Sequence, residues 1–151
     1  MLQNTGLTEE LVRHISSAKK EPAWMLEKRL EAFALYQKAA MPKWGPDLSG
    51  LDLENMVYFV DPSVEEKDTW EELPAEIVDT FDKLGIPKAE REYLGGVGAQ
   101  YDSGMVYHRL KQNLADKGVI FENMDVALVK YPELVQKYFM TDCVPIHDHK
   151  F

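Results

Sequence analysis

One short cluster contains side chains of the kinds that bind metals, namely Cys143, His147, Asp148 and His149. A thiolate combined with imidazoles suits zinc or iron. The spacing, C-x-x-x-H-x-H, differs from that of zinc fingers and ribbons, and Pro145 interrupts the segment. Metal binding through Cys143, His147 and His149 is therefore one hypothesis, and an extended tail with an idle thiol is the other. We expect the tail and assign no metal ligand.

A glycine-rich stretch at residues 95–98 raises the question of phosphate binding, because glycines let backbone N–H groups approach an anion at a helix start. The stretch matches neither G-x-x-x-x-G-K-[ST] nor a G-x-G-x-x-G turn in a βαβ unit. We interpret it as a turn at a helix terminus, with Asp102 and Ser103 capping the helix that follows. Tyr101, Tyr107 and His108 are expected to satisfy hydrogen bonds at the edge of a core.

No arrangement of residues predicts a catalytic site. Acidic runs such as residues 65–68 and 71–72 are typical of solvated loops and helix starts. A Ser-His-Asp triad is defined by its geometry, so residue order cannot reveal one. The sequence therefore predicts a protein that is not an enzyme, with no catalytic and no cofactor-binding residues.

The charge balance excludes some classes of partner. The chain has 151 residues, with 17 basic and 26 acidic side chains and a net charge of -9. Such a charge repels phosphate backbones and anionic lipids, so neither nucleic acid nor a membrane is an expected partner. The sequence has no apolar run of about 18 residues and no N-terminal signal pattern, and we expect a cytoplasmic protein.

Helix-start signals and the spacing of apolar residues predict most of the secondary structure. Thr8 followed by two acidic residues is typical of a capped start, and the first helix should end near Lys20. Pro22 suits the first turn of a second helix that reaches Ala40. Further helices are predicted at about 74–84, 87–94, 103–116 and 125–130, and from 132 to shortly before residue 141.

Two short segments, 56–60 and 119–121, have the β-branched and aromatic residues of strands and could pair with each other. Together with the helices they predict an α+β fold that is predominantly helical, with several short helices and a small β element. We expect a helical domain over residues 1–140 and an extended tail or junction over 141–151.

Several separate stretches match the motifs of one family in the same order along the chain. The longest is GGVGAQYDSGMVYH at residues 95–108, and the others are 21–26 (EPAWML), 42–51 (PKWGPDLSGL), 84–87 (LGIP), 118–121 (GVIF) and 131–139 (YPELVQKYF). These stretches resemble the N-terminal region of SufB, the scaffold subunit of the SUF iron-sulfur cluster assembly machine. The resemblance extends across nearly the entire chain.

The resemblance implies the N-terminal helical domain, or a fragment, of an iron-sulfur cluster assembly scaffold. SufB proteins are much longer, and their β-helical core, cluster-related cysteines and SufC-binding helices lie in the C-terminal part. Residues 144–151 (VPIHDHKF) resemble the junction that leads into that part. We therefore expect no cluster in this chain itself, and a role in complex assembly or partner docking. The implied partners, through the full-length protein, are a SufC-like ATPase, a SufD-like subunit and sulfur-delivery proteins.

Two other hypotheses assign the chain to different functional classes. One is a small metal-binding protein that uses Cys143, His147 and His149. The other is a self-associating remnant, whose contact surface is normally covered by a missing domain.

Overall fold

The computed structural model describes residues 5–60, 66–67, 69–85, 87 and 94–150, and the chain divides into two compact units. Met1–Phe59 and Met124–Phe151 form the first unit, and Val60–Asn123 forms the second. In chain order the described residues form α1 (Glu9–Ala18), α2 (Ala23–Lys38), a 3-10 turn (Trp70–Glu72), α3 (Ala75–Lys83), β1 (Gly96–Tyr101), β2 (Gly104–Leu110), α4 (Gln112–Ala115), α5 (Met124–Lys130) and α6 (Pro132–Tyr138).

The first unit begins with the helix pair that local signals predict. The hydroxyl of Thr8 accepts a hydrogen bond of 3.1 Å from the Leu11 amide, which caps α1. Pro22 precedes α2, where its missing N–H is not needed. The buried apolar residues of this unit include Leu11 and Met25, one from each helix. The predicted starts of both helices are confirmed, and their ends lie two residues before the predicted ones.

Polar contacts join the C-terminal helices of the first unit to its N-terminal pair. Lys19 Nζ lies 2.6 Å from a carboxylate oxygen of Asp125 at the start of α5. Lys28 Nζ donates to the carbonyl oxygen of Phe139, at the end of α6, over 3.2 Å. Segments more than a hundred residues apart in the chain are therefore packed into one unit.

The second unit is an antiparallel hairpin covered by α3. β1 and β2 pair from Gly96↔Leu110 to Tyr101↔Gly104, with an irregular register next to Ala99. Ala99 shares one apolar cluster with five other buried residues, namely Leu73, Ile77, Phe81, Val106 and Tyr107. Trp70 packs edge-on against the rings of Phe81 and Tyr107, each at 5.3 Å between centroids. An isolated two-stranded hairpin is at best marginally stable, so this cluster is what stabilises it.

The 103–116 region corrects one prediction. We expected a helix there, whereas residues 104–110 form β2 and helix is confined to Gln112–Ala115. Tyr101 and Gly104 pair across a two-residue loop, with Asp102 at a φ of 53°. Aspartate tolerates this left-handed conformation better than most residues. Cross-strand pairing therefore overrides the helical spacing of the apolar residues.

The two predicted strands are also wrong. Residues 56–60 and 119–121 form no strand, although Val57 makes an isolated bridge to Thr5. The helix expected at 87–94 falls mostly on residues outside the described part. The fold class is confirmed as α+β, mostly helical, with a small sheet. None of the helices described here has both the length and the apolarity needed to cross a bilayer.

A two-point ion pair fixes the turn between α1 and α2. Arg29 donates from Nε and Nη2 to the two carboxylate oxygens of Glu21, over 2.7 and 2.5 Å. Burial of the Glu21 side chain, which is 1% exposed, raises the pKa of its carboxyl group. The hydrogen bonds and positive charge of Arg29, with smaller contributions from Ser16 and Lys19, outweigh that effect, and the pKa of Glu21 is lower than its usual value.

We expect Glu21→Gln to reduce the free energy of unfolding by about 1–2 kcal/mol at neutral pH, a value kept low because Arg29 is partly exposed. Since the folded pKa lies below the unfolded one, the pair contributes fully above the unfolded pKa. Its contribution disappears as the pH falls through the folded pKa. Urea denaturation at several pH values should show the difference from wild type shrinking with acidification. Glu27→Gln, at an exposed position of α2, is the control. A difference that grew with acidification would contradict the assignment.

In the second unit, Ile77 is completely buried and Leu84, just after α3, is 70% exposed. We expect Ile77→Ala to lower the free energy of unfolding by about 2–5 kcal/mol, because it leaves a cavity in the cluster under the hairpin. The matched Leu84→Ala should change stability by no more than about 0.5 kcal/mol. Thermal and urea unfolding followed by circular dichroism measure both, and equal effects would show that α3 does not pack as described.

Candidate functional site

The structure does not gather the metal-ligand types of the tail into a site. Cys143 is exposed. His149 packs edge-on against Trp44, with 5.6 Å between ring centroids, and its Nε2 lies 3.7 Å from the carboxylate of Asp148. Among the residues that the structure describes, no group of three or more His, Cys, Asp or Glu side chains could hold a metal ion. The geometry therefore gives the metal-binding hypothesis no support.

The glycines of the 95–98 stretch lie at the start of β1, and two of them permit close packing. A Cβ atom on Gly95 would lie 2.7 Å from a methyl group of Leu114. On Gly96 it would lie 2.9 Å from the ring of Phe121. Both distances are shorter than carbon contacts allow, so the missing side chains make room for residues that follow β2. This stretch is a packing surface, and the predicted helix terminus is corrected to a strand.

The turn of the hairpin uses Asp102 and Ser103, which were expected to cap a helix. Instead, the Ser103 hydroxyl accepts a hydrogen bond of 3.0 Å from the Val60 amide, and the Ser103 amide donates to the Val60 carbonyl over 3.3 Å. Ser103 therefore connects the tip of the hairpin to the start of the second unit.

His108 is the centre of a polar cluster on the same hairpin. Its Nε2 lies 2.5 Å from the carbonyl oxygen of Phe121, and its ring stacks on the Phe121 ring with 5.2 Å between centroids. Because a carbonyl oxygen only accepts, Nε2 carries a proton. Nδ1 lies 3.9 Å from a carboxylate oxygen of Glu66, and the amide of Asn123 donates to the other oxygen. His108 thus connects β2 to the chain on both sides of the hairpin.

This arrangement suits structural support better than proton transfer to a substrate. Phe121 occupies one nitrogen and one face of the His108 ring, and Glu66 faces the other nitrogen. The sequence prediction that His108 makes a hydrogen bond is confirmed, whereas Tyr107 lies within the core and not at its edge. Residue types alone did not reveal the partners of His108, since Phe121 contributes a backbone oxygen.

Exposed apolar side chains form two further surface features. In the second unit, Val119, Ile120 and Phe121 are consecutive and exposed. In the first unit, Leu134 and Tyr138 are exposed at positions four apart on α6, so they share one face of that helix. Clustered exposed apolar residues are typical of protein interaction surfaces. We call these features the 119–121 segment and the α6 face.

Comparison with known proteins finds relatives of this chain by sequence. The chain is 51% identical over 146 residues to the "Iron-sulfur cluster assembly SufBD family protein" of Staphylococcus aureus strain USA300. It has the same identity to the protein of that description from Staphylococcus saprophyticus. Each match covers 97% of this chain and 31% of the relative. The chain therefore spans about a third of the length of these relatives.

The similarity supports the sequence prediction at the level of the SufBD family, and it does not specify SufB within that family. The aligned region includes nearly the whole of both compact units. No protein-family model matches the chain. No solved structure matches it either.

We expect His108→Phe to lower the free energy of unfolding by about 1–2 kcal/mol, because it keeps the stacked ring and removes the donor to the Phe121 carbonyl. Arg109→Ala, at the exposed neighbouring position of β2, should have an effect within about 0.5 kcal/mol. Urea denaturation measures both. Hydrogen exchange should also accelerate at residues 119–123 in the His108 variant, and unchanged exchange there would refute the role of His108 in holding that segment.

Proposed function

We propose that this chain acts as a SufB-like, non-catalytic docking part of an iron-sulfur cluster assembly scaffold. The observation that carries the proposal is 51% identity over 97% of the chain to proteins named as iron-sulfur cluster assembly SufBD family members. The order of the motifs at 21–26, 42–51 and 95–108 supports SufB within that family. A SufC-like ATPase, a SufD-like subunit and sulfur-delivery proteins are the partners that this role requires.

The donor set of the chain fits docking better than carrying a cluster. Iron-sulfur clusters are held mainly by several cysteine thiolates, and this sequence contains one cysteine, Cys143. The cluster would therefore be cargo that other parts of the assembly hold. His108 is engaged by Phe121 and Glu66, so we assign it a structural role in the hairpin.

The α6 face is the surface that we assign to docking in the first unit. Tyr138 is 56% exposed, and Lys137 lies over its ring at 4.8 Å, so an aromatic anchor is held beside a positive charge. Tyrosines at such positions frequently dominate binding energies at interfaces. Val129, on the preceding helix α5, is also an exposed apolar residue, at 78%.

Coexpression of the chain with a SufC-like ATPase and a SufD-like subunit tests the proposal. We expect at least one of them to co-purify while iron and sulfide stay at background. Tyr138→Ala should weaken that association about tenfold or more, as expected for an interface anchor, whereas Glu133→Gln at an exposed position of α6 should not.

Three outcomes would contradict this assignment. Absence of both partners would show that the chain does not dock independently. Iron or zinc bound in proportion to protein, and lost in Cys143→Ser, would favour the metal-binding hypothesis. A solution mass of twice the chain or more, without any partner, would favour the self-associating remnant.

A further inference from the structure

The first unit contains an apolar cavity of about 250 Å³ that the docking role does not use. Its walls come from α1, α2 and the residues after α6. The apolar lining includes Val12, Ile15, Met25, Ala32, Phe33 and Phe139. Met25 is almost completely buried, so the cavity extends into the core of the unit. A water molecule in the liquid occupies about 30 Å³, so the space suits a ligand of roughly eight to ten heavy atoms.

Three cationic side chains, Lys28, Arg29 and Lys150, also line this cavity. The charge of Arg29 is balanced by the two-point pair with Glu21. Neither lysine lies within ion-pair distance of a carboxylate in the part of the chain that the structure describes. This local positive charge contrasts with the net charge of -9 of the whole chain.

Backbone oxygens hold both ammonium groups in place without using all their donors. Lys28 Nζ donates to the Phe139 carbonyl. Lys150 Nζ donates to the carbonyls of Tyr36 and Ala39 over 2.7 and 3.0 Å, and it lies 4.1 Å from the centre of the Tyr36 ring. An ammonium has three N–H donors, so these hydrogen bonds leave donors on both lysines for an anion.

We propose that the cavity binds a small amphiphilic carboxylate, of the class of medium-chain fatty acids. The alkyl chain lies among the apolar walls, and the carboxylate accepts charge-assisted hydrogen bonds from Lys28 and Lys150. Apolar walls with a few placed polar groups are the usual composition of small-molecule sites. Two ammonium groups select a negative headgroup over a neutral or positive one.

Titration of the purified chain with octanoate, followed by calorimetry and by NMR of the protein, tests this site. Lys28→Met and Lys150→Met keep most of each side chain's apolar length and remove its charge, and each should weaken octanoate binding roughly five- to tenfold. Lys38→Met removes a charge from the exposed end of α2 and should leave the affinity unchanged. Chemical shift changes should concentrate at α1, α2 and residue 139.

Two other ligands and one more variant separate the contributions of charge and cavity. Acetate should bind much more weakly, because it lacks the alkyl chain. Octanol should also bind more weakly, with an affinity that neither lysine variant changes. Ala32→Leu, checked for wild-type thermal stability, should weaken octanoate and octanol alike because it fills the cavity. The proposal is overturned if octanoate fails to bind at millimolar concentration, or if the lysine variants reduce octanol and octanoate binding equally.

Discussion

Val106 and Tyr107 are consecutive in β2, and both side chains are buried in the same apolar cluster. The described structure of the second unit depends on the burial of both. Neighbouring residues of a regular strand point to opposite faces of the sheet. Here the pairing passes from Ala99↔Tyr107 to Gln100↔Met105, so β2 contains one residue more than β1 at this point. A bulge of this kind bends the strand and redirects its side chains. The cluster with α3 can therefore receive both Val106 and Tyr107.

The same part of β2 organises the residues around the hairpin. Lys67 bridges to Tyr107, donating its amide to the Val106 carbonyl over 2.9 Å and accepting from the His108 amide over 3.3 Å. His108 then contacts the Phe121 carbonyl, and Gly96 leaves room for the Phe121 ring. The 95–108 stretch therefore acts as a scaffold for the segments before and after it. This packing role accounts for its glycines without any bound phosphate.

Local signals predicted the parts of the fold that local interactions determine. The Thr8 cap, the prolines just before α2 and α3, and the proline that opens α6 correctly indicated where those helices begin. The hairpin was missed because its stability comes from pairing and from the cluster with α3, neither of which is visible in the sequence of 95–116. The 56–60 segment has strand-forming residues, but with the described residues it makes one isolated bridge, at Val57. Lys150 and Tyr36 meet across more than a hundred residues, so periodicity could not indicate the cavity between them.

We propose docking as the role of this chain, and the contacts of three polar side chains fit that proposal. Lys19, Arg29 and His108 carry the types of groups that catalysis uses, and each is engaged by a carboxylate or a backbone oxygen within its own unit. Exposed apolar residues recur in both units, at the 119–121 segment and the α6 face. The similarity to SufBD family proteins extends through both units, so it does not favour one of these two surfaces over the other as the docking site. Partner binding that depends on Tyr138 would assign the docking role to the first unit, whereas binding that depends on Ile120 would assign it to the second.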